Sequence, residues 1–184
     1  MLRFFRILFT FLVLEGMFAA FIACDGVDDT SNQSNVNKKA EKEQLENANK
    51  YMLAQEKEDI NAFIAHNGMD MAETGTGLRY RIVKQGDTAY IKTGDIVSMD
   101  YDVSLLTGEL MYSSKESGRK VFLVGKGGVE SGLEEAVLHL HNGDEAEIII
   151  PSHLAYGLLG DGERIPPRAA LFYRLKIIDN LTNK

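Results

Sequence analysis

Ala155-Tyr156-Gly157-Leu158-Leu159-Gly160-Asp161-Gly162-Glu163-Arg164-Ile165-Pro166-Pro167-Arg168-Ala169-Ala170-Leu171-Phe172-Tyr173 is the stretch on which the reading of this chain turns. The whole sequence holds three prolines, and two of them, Pro166 and Pro167, are adjacent here. Paired prolines fix two φ angles and remove two backbone donors, so a stiff arch is expected. Tyr156 precedes the glycine-rich part of the arch, and an apolar strand, Leu171 to Ile178, follows it. Upstream, Gly125-Lys126-Gly127-Gly128-Val129-Glu130-Ser131-Gly132-Leu133-Glu134-Glu135-Ala136 supplies a glycine-rich approach to a short helix.

Around these two segments the apolar residues recur with period two. Leu78, Tyr80 and Ile82 alternate with polar neighbours, as do Val97, Met99, Tyr101 and Val103. Val121 to Val124 is a short apolar run, and Ala146, Ile148 and Ile150 alternate with Glu145, Glu147 and Ile149. Between them lies one helical stretch, its stripe formed by Leu133, Ala136, Val137 and Leu140 and its end marked by Asn142-Gly143. Ser131 and Glu134 have the spacing of a capping box. An antiparallel sheet with one helix laid on its face is an α+β architecture.

Before the sheet, residues 38–68 read as a helical segment. Leu45, Ala48, Met52, Ile60, Phe63 and Ile64 recur at steps of three and four. Asn67-Gly68 provides the stop. The stripe lapses from Glu56 to Asp59, so one long helix or two shorter ones both fit. The segment either packs on the sheet domain or serves as an arm for weak self-association or partner binding.

Residues 1–23 have the form of a signal peptide: Arg3 and Arg6, then an apolar run from Ile7 to Leu14. Glu15 divides the apolar residues into pieces too short for a bilayer core of ~30 Å. Phe21-Ile22-Ala23-Cys24 resembles a bacterial lipobox, which makes Cys24 the expected lipidation site and the anchor at a membrane. Cys24 is the only cysteine, so no intramolecular disulfide is available. Twenty basic and 27 acidic residues give a net charge of −7; loss of Arg3, Arg6 and Glu15 leaves 18 against 26, or −8. Such a chain is repelled by nucleic acid, which excludes that class of partner. Residues 24–37 read as a flexible acidic and polar tether. Its Asp25-Gly26-Val27-Asp28-Asp29 cluster is either a plain linker or a surface-export signal of the kind lipoproteins of gliding Gram-negative bacteria carry.

The other motifs carry little chemistry. His139 and His141 are two apart on a helical stretch and point apart, while His66 and His153 stand alone. All four read as solvated surface residues, and no metal or cofactor is expected. Asp87-Thr88-Ala89 matches a bacterial glycosylation tripeptide but reads better as a turn.

Taken together, the two glycine-rich motifs resemble the FKBP-type peptidyl-prolyl cis-trans isomerase family, over roughly Gly77 to Asp179 within an expected domain at 76–180. The resemblance implies an antiparallel sheet wrapped around one short helix. It implies an apolar pocket walled by Tyr101, Phe122, Val129, Tyr156, Ile165 and Tyr173, with the Tyr156 hydroxyl bonding the ligand carbonyl. Its substrates would be proline-containing segments, here of exported proteins. Departures are also visible. Tyr112 replaces the family's aspartate and Met111 the aromatic before it, both at the rim; Lys120 replaces the first of two phenylalanines; Leu133 replaces the tryptophan of the floor. Glu130 occupies an aliphatic position whose N–H contacts ligand, and its side chain is expected to add charge at the rim. These changes imply lowered turnover. The lipobox, the helical N-terminus and the strings Thr74-Gly75-Thr76-Gly77-Leu78 and Ile165-Pro166-Pro167-Arg168-Ala169 are similar to a lipid-anchored branch of the family associated with gliding motility.

Overall fold

Among the described residues seven strands form one antiparallel sheet, and their residues explain its shape. The structure, a computed structural model, describes residues 29–86 and 89–181, without the side chains of 29–37 and 40. The signal peptide, Cys24 and the Asp87-Thr88 pair lie outside the described residues. The described residues divide into two units, one ending at Lys50 and one beginning at Tyr51.

The elements run α1 (Asp29–His66), β1 (Ala72–Glu73), β2 (Arg79–Lys84), β3 (Ile96–Leu105), β4 (Leu110–Ser113), α2 (Ser114–Ser117), β5 (Lys120–Leu123), α3 (Ser131–Val137), β6 (Glu145–Ile150), a 3-10 turn (Ser152–Leu154) and β7 (Leu171–Asn180). Sheet order is β1-β2-β6-β7-β3-β4, with β5 also pairing β3. The long β3 and β7 are the spine, with Val103 opposite Tyr173 and Tyr101 opposite Leu175. β4 and β5 share the outer side of β3, pairing with Asp102–Ser104 and Ile96–Met99 respectively.

α3 lies on the inner face. Leu133, Ala136, Val137 and Leu140 join Leu78, Val97, Met99, Ile148, Ile150, Leu171, Tyr173 and Ile177 in the main core. Gly132 is required by that packing, since a Cβ there would stand 2.3 Å from Ile150 Cγ2. Ser131 does not form the expected capping box. Glu130 is the N-cap residue, Ser131 Oγ donates to Leu154 O, and Glu134 accepts from the Gly127 N–H. The helix ends at Val137, before Asn142-Gly143, and a turn carries Leu140 into the core.

On the other face, Ile149 and Phe172 are opposite each other and both buried. They are covered by the last turns of α1: Ile60, Phe63 and Ile64 pack there, and the Phe63 and Phe172 rings meet edge to face at 5.2 Å. Glu56 fixes this docking by accepting from Ser152 N–H at 2.6 Å and Ser152 Oγ at 3.0 Å. Beyond the cover, the same face is charged, as with Arg81 and Glu147 at 2.6 Å.

Two expectations are corrected, and one open choice is decided. The helix starts at Asp29, within the stretch expected to be a flexible tether; no proline or glycine stands between Asp29 and Lys38, and extending a helix is easier than starting one. α1 is one helix across the lapse at Glu56–Asp59. His141 is not solvated: it is 6% exposed, with Nδ1 3.0 Å from the buried Asp144 carboxylate and the Tyr90 ring against it. Among the described residues no helix is long and apolar enough to cross a membrane.

Candidate functional site

A cavity of about 300 Å³ opens where β3, β4, β5 and β7 meet the loop after the 3-10 turn. Tyr101, Val103, Tyr112, Lys120, Tyr156, Asp161, Glu163 and Tyr173 line it. Tyr101 and Val103 come from one face of β3, two residues apart, as strand alternation demands. Lys120 pairs in register with Met99, which brings its ammonium 5.2 Å from the centre of the Tyr101 ring. That separation is within cation–π range.

The loop walls are held by Asp161. Its Oδ1 accepts N–H bonds from Glu163, Arg164 and Ile165 at 2.8–3.0 Å, and its Oδ2 accepts the Tyr112 hydroxyl proton. Gly160 makes the close turn possible: its φ is +71°, and a Cβ would fall 2.1 Å from Ile165 O. Arg164 lies over the Tyr112 ring at 5.4 Å and donates to Met111 O at 2.8 Å. The loop is closed by Arg168, whose N–H reaches Gly157 O at 2.8 Å. Hydrogen bonding to Asp161 is the main reason the Tyr112 phenol is pushed up to about 12, with desolvation adding to it. Burial opposes ionisation of Asp161, yet the Tyr112 hydroxyl and the three N–H donors hold its carboxyl below the ordinary range.

Behind the cavity wall lies Glu130, whose side chain is 5% exposed. Its Oε1 accepts the hydroxyl protons of Tyr156 and, at 3.0 Å, Tyr173. Its Oε2 faces Lys120 Nζ at 3.5 Å and has no hydrogen-bond partner among the described residues. Burial would raise the carboxyl's pKa, but the Lys120 charge and the tyrosine hydroxyls outweigh it and hold it below the ordinary glutamate value. The tyrosines respond in the opposite sense: burial first, then the neighbouring carboxylate, pushes both Tyr156 and Tyr173 well up. This small network keeps Glu130 charged and both phenols neutral.

The structure sorts the expected site residues. Tyr101, Tyr156 and Tyr173 line the cavity together with Tyr112. Phe122, Leu133 and Ile165 are core residues behind it, and Val129 packs against that core. Leu133 therefore seals the interior rather than forming an open floor. Met111 is buried and not at the rim, because β4 alternates and only Tyr112 turns to the cavity. Glu130 is likewise inside, not at the rim, since three partners await its carboxylate. Lys120 lines the cavity at a position the resemblance already assigns to a pocket phenylalanine, whereas Asp161, Glu163 and Val103 line it without having been expected there. Only the Asp161-Gly162 pair carried a signal, as a turn motif whose aspartate bonds nearby N–H groups.

The family model described as FKBP-type peptidyl-prolyl cis-trans isomerase matches residues 87–178. The chain belongs to that family. It is 37% identical over 125 residues to a probable FKBP-type peptidyl-prolyl cis-trans isomerase FkpA of Neisseria meningitidis, a match covering 66% of this chain and 45% of that protein. With FK506-binding protein 2 of Yarrowia lipolytica it shares 32% identity over 109 residues, 59% of this chain and 76% of the other. The crystal structure of AtFKBP13 has the same fold, with a TM-score of 0.58 at 24% identity, covering 60% of this chain and 98% of that one. The chain thus spans less than half of the first of these relatives and about three quarters of the second.

Proposed function

We propose that this FKBP-type chain accelerates cis–trans isomerisation of X–Pro peptide bonds. The observation that carries the reading is the cavity walled by Tyr101, Tyr112, Tyr156 and Tyr173 over a closed apolar core. Isomerisation needs no nucleophile and no metal. The planar amide resists rotation by ~18–20 kcal/mol, and the twisted state has lost that resonance. A twisted amide is more ketone-like and depends less on water, so a concave aromatic site that excludes water favours it over the planar form. Large, stiff rings grip the proline, and one polar donor sets the orientation of the chain. A protease-coupled assay on a proline peptide tests this: turnover above the slow uncatalysed rate is expected, and none from folded protein would exclude it.

The place of action follows from residues 1–37. We infer a lipid anchor on Cys24 and a position in the cell envelope, on the periplasmic side of an outer membrane or the cell surface, serving exported proteins. The motif strings resemble the gliding-motility branch, and that resemblance supports the same setting. In the fractionation test, Cys24→Ala releases the protein from membranes and abolishes labelling with fatty acid. A soluble, unlabelled wild type would overturn the anchor. Acyl chains contribute roughly 0.8 kcal/mol per buried CH₂, so two or three of them hold firmly.

A second reading is favoured by one observation, the bond from the Tyr156 hydroxyl to Glu130. A cavity whose tyrosine hydroxyl is occupied could grip proline-containing or apolar segments with little turnover. Peptide binding without acceleration distinguishes this holdase.

A further inference from the structure

A phenol carries one O–H donor. At this cavity Tyr156 and Tyr173 direct theirs to Glu130, and Tyr112 directs its own to Asp161. Both acceptors are carboxylates, which make the stronger class of hydrogen bond. A neutral peptide carbonyl entering the cavity competes poorly for any of these protons. Asp161 and Glu163, which also line the space, accept hydrogen bonds and cannot donate when ionised.

Two donors of the lining are left, the Tyr101 hydroxyl and the Lys120 ammonium, and the charged one makes the stronger class of hydrogen bond. The Lys120 side chain is 23% exposed, it lines the cavity, and an ammonium has three donors. One faces Glu130 Oε2 at 3.5 Å, and the Tyr101 ring holds the cation near the cavity at 5.2 Å. At least one N–H is left for a ligand.

We infer that Lys120, rather than the Tyr156 hydroxyl, donates to the carbonyl oxygen of the residue preceding proline, and that Glu130 sets this division of labour. The inference rests on the isomerase reading only for the identity of the ligand. Its kinetic signature follows from the chemistry. The carbonyl oxygen is most negative in the planar amide, so this bond is no stronger in the twisted state. It lowers KM without raising kcat. Lys120 is a binding donor, and Glu130 is a positioning residue that acts through Lys120 and Tyr156.

The experiment uses the full chain and an X–Pro peptide, reading KM, kcat and peptide Kd. Removing Lys120 alone would leave a buried carboxylate unpaired, so Lys120→Met is made in a Glu130→Gln background, where the amide oxygen still accepts from both tyrosines. Relative to Glu130→Gln, the double variant should raise KM and Kd about tenfold with kcat little changed. Lys120→Arg in the same background should restore most of the loss. In a Glu130→Leu background the Tyr156 proton is released to the cavity, so Tyr156→Phe should cost about tenfold more there than in the unmodified chain. Equal Kd for Glu130→Gln and its Lys120→Met partner would overturn the inference, as would an equal cost of Tyr156→Phe in both backgrounds. A tenfold loss on Tyr101→Phe with none on Lys120→Met would transfer the role to Tyr101 and also overturn it. If the wild type binds peptide without turnover, the isomerase reading falls while the Kd comparisons still decide for or against Lys120. A wild type that does not bind peptide sinks both.

Discussion

The Tyr173 hydroxyl donates to Glu130 Oε1 at 3.0 Å, joining residues 43 positions apart at the back of the cavity. The carboxylate is shared with Tyr156 and faced by Lys120, so its desolvation is offset from three sides. Hydrogen bonds to charged groups contribute about 1.5–3 kcal/mol. Tyr173→Phe should therefore lower stability by about that amount, read from denaturant midpoints, while leaving the fold intact.

Glu130 also predicts a pH dependence. Its folded-state pKa lies below the ordinary value of about 4.3. A depressed carboxyl contributes stability that is present above the unfolded pKa and is lost as pH falls through the folded one. Glu130→Gln should be less stable than wild type at pH 7, and the gap should narrow as pH falls below the ordinary glutamate value of about 4.3. A gap independent of pH would contradict the charged network.

Tyr112 makes the opposite, alkaline prediction. With its phenol pushed up to about 12 chiefly by the bond to Asp161, the neutral form is the favoured one. Its contribution is complete below about pH 10, the ordinary tyrosine value, and is lost as pH rises toward 12. Tyrosinate absorbance should show Asp161→Asn moving one late-titrating phenol back toward about pH 10, and Tyr112→Phe removing it.

The two parts of α1 differ in what they contribute. Phe172 is 7% exposed and meets Phe63, whereas Leu45 is 66% exposed. Phe172→Ala should cost about 3–5 kcal/mol. Leu45→Ala should stay within about 0.5 kcal/mol in the monomer. A large loss at Leu45 would show that its exposed face is covered in solution.

How much of this was visible beforehand depends on the range of the interaction. Strand alternation made β2, β3 and β6 legible, the apolar run from Leu171 did so for β7, and the glycine-rich run before Leu133 located α3. Ile149 broke the alternation, and Phe172 adds a second apolar residue on the same face. The reason is α1, whose Ile60 and Phe63 cover that face. The tyrosines of the cavity were legible through their motif positions. The partners of Glu130 and Tyr112 were not, since their bonds join residues 26 and 49 positions apart. Glu130 as a rim charge was the natural expectation for an isolated carboxylate, because burial without partners is costly. Lys120, Tyr156 and Tyr173 remove that objection, and only the folded chain brings them together.

The central claim, that the tyrosine-walled cavity accelerates X–Pro rotation, is tested most directly by exchange spectroscopy on a proline peptide with a catalytic amount of full-length protein. Uncatalysed exchange takes tens to hundreds of seconds at 25 °C. The account predicts that cis and trans resonances exchange measurably faster when the protein is added, and that the effect disappears when an excess of a second X–Pro peptide occupies the site. Exchange at the uncatalysed rate, from protein shown to be folded and to bind the peptide, would contradict it.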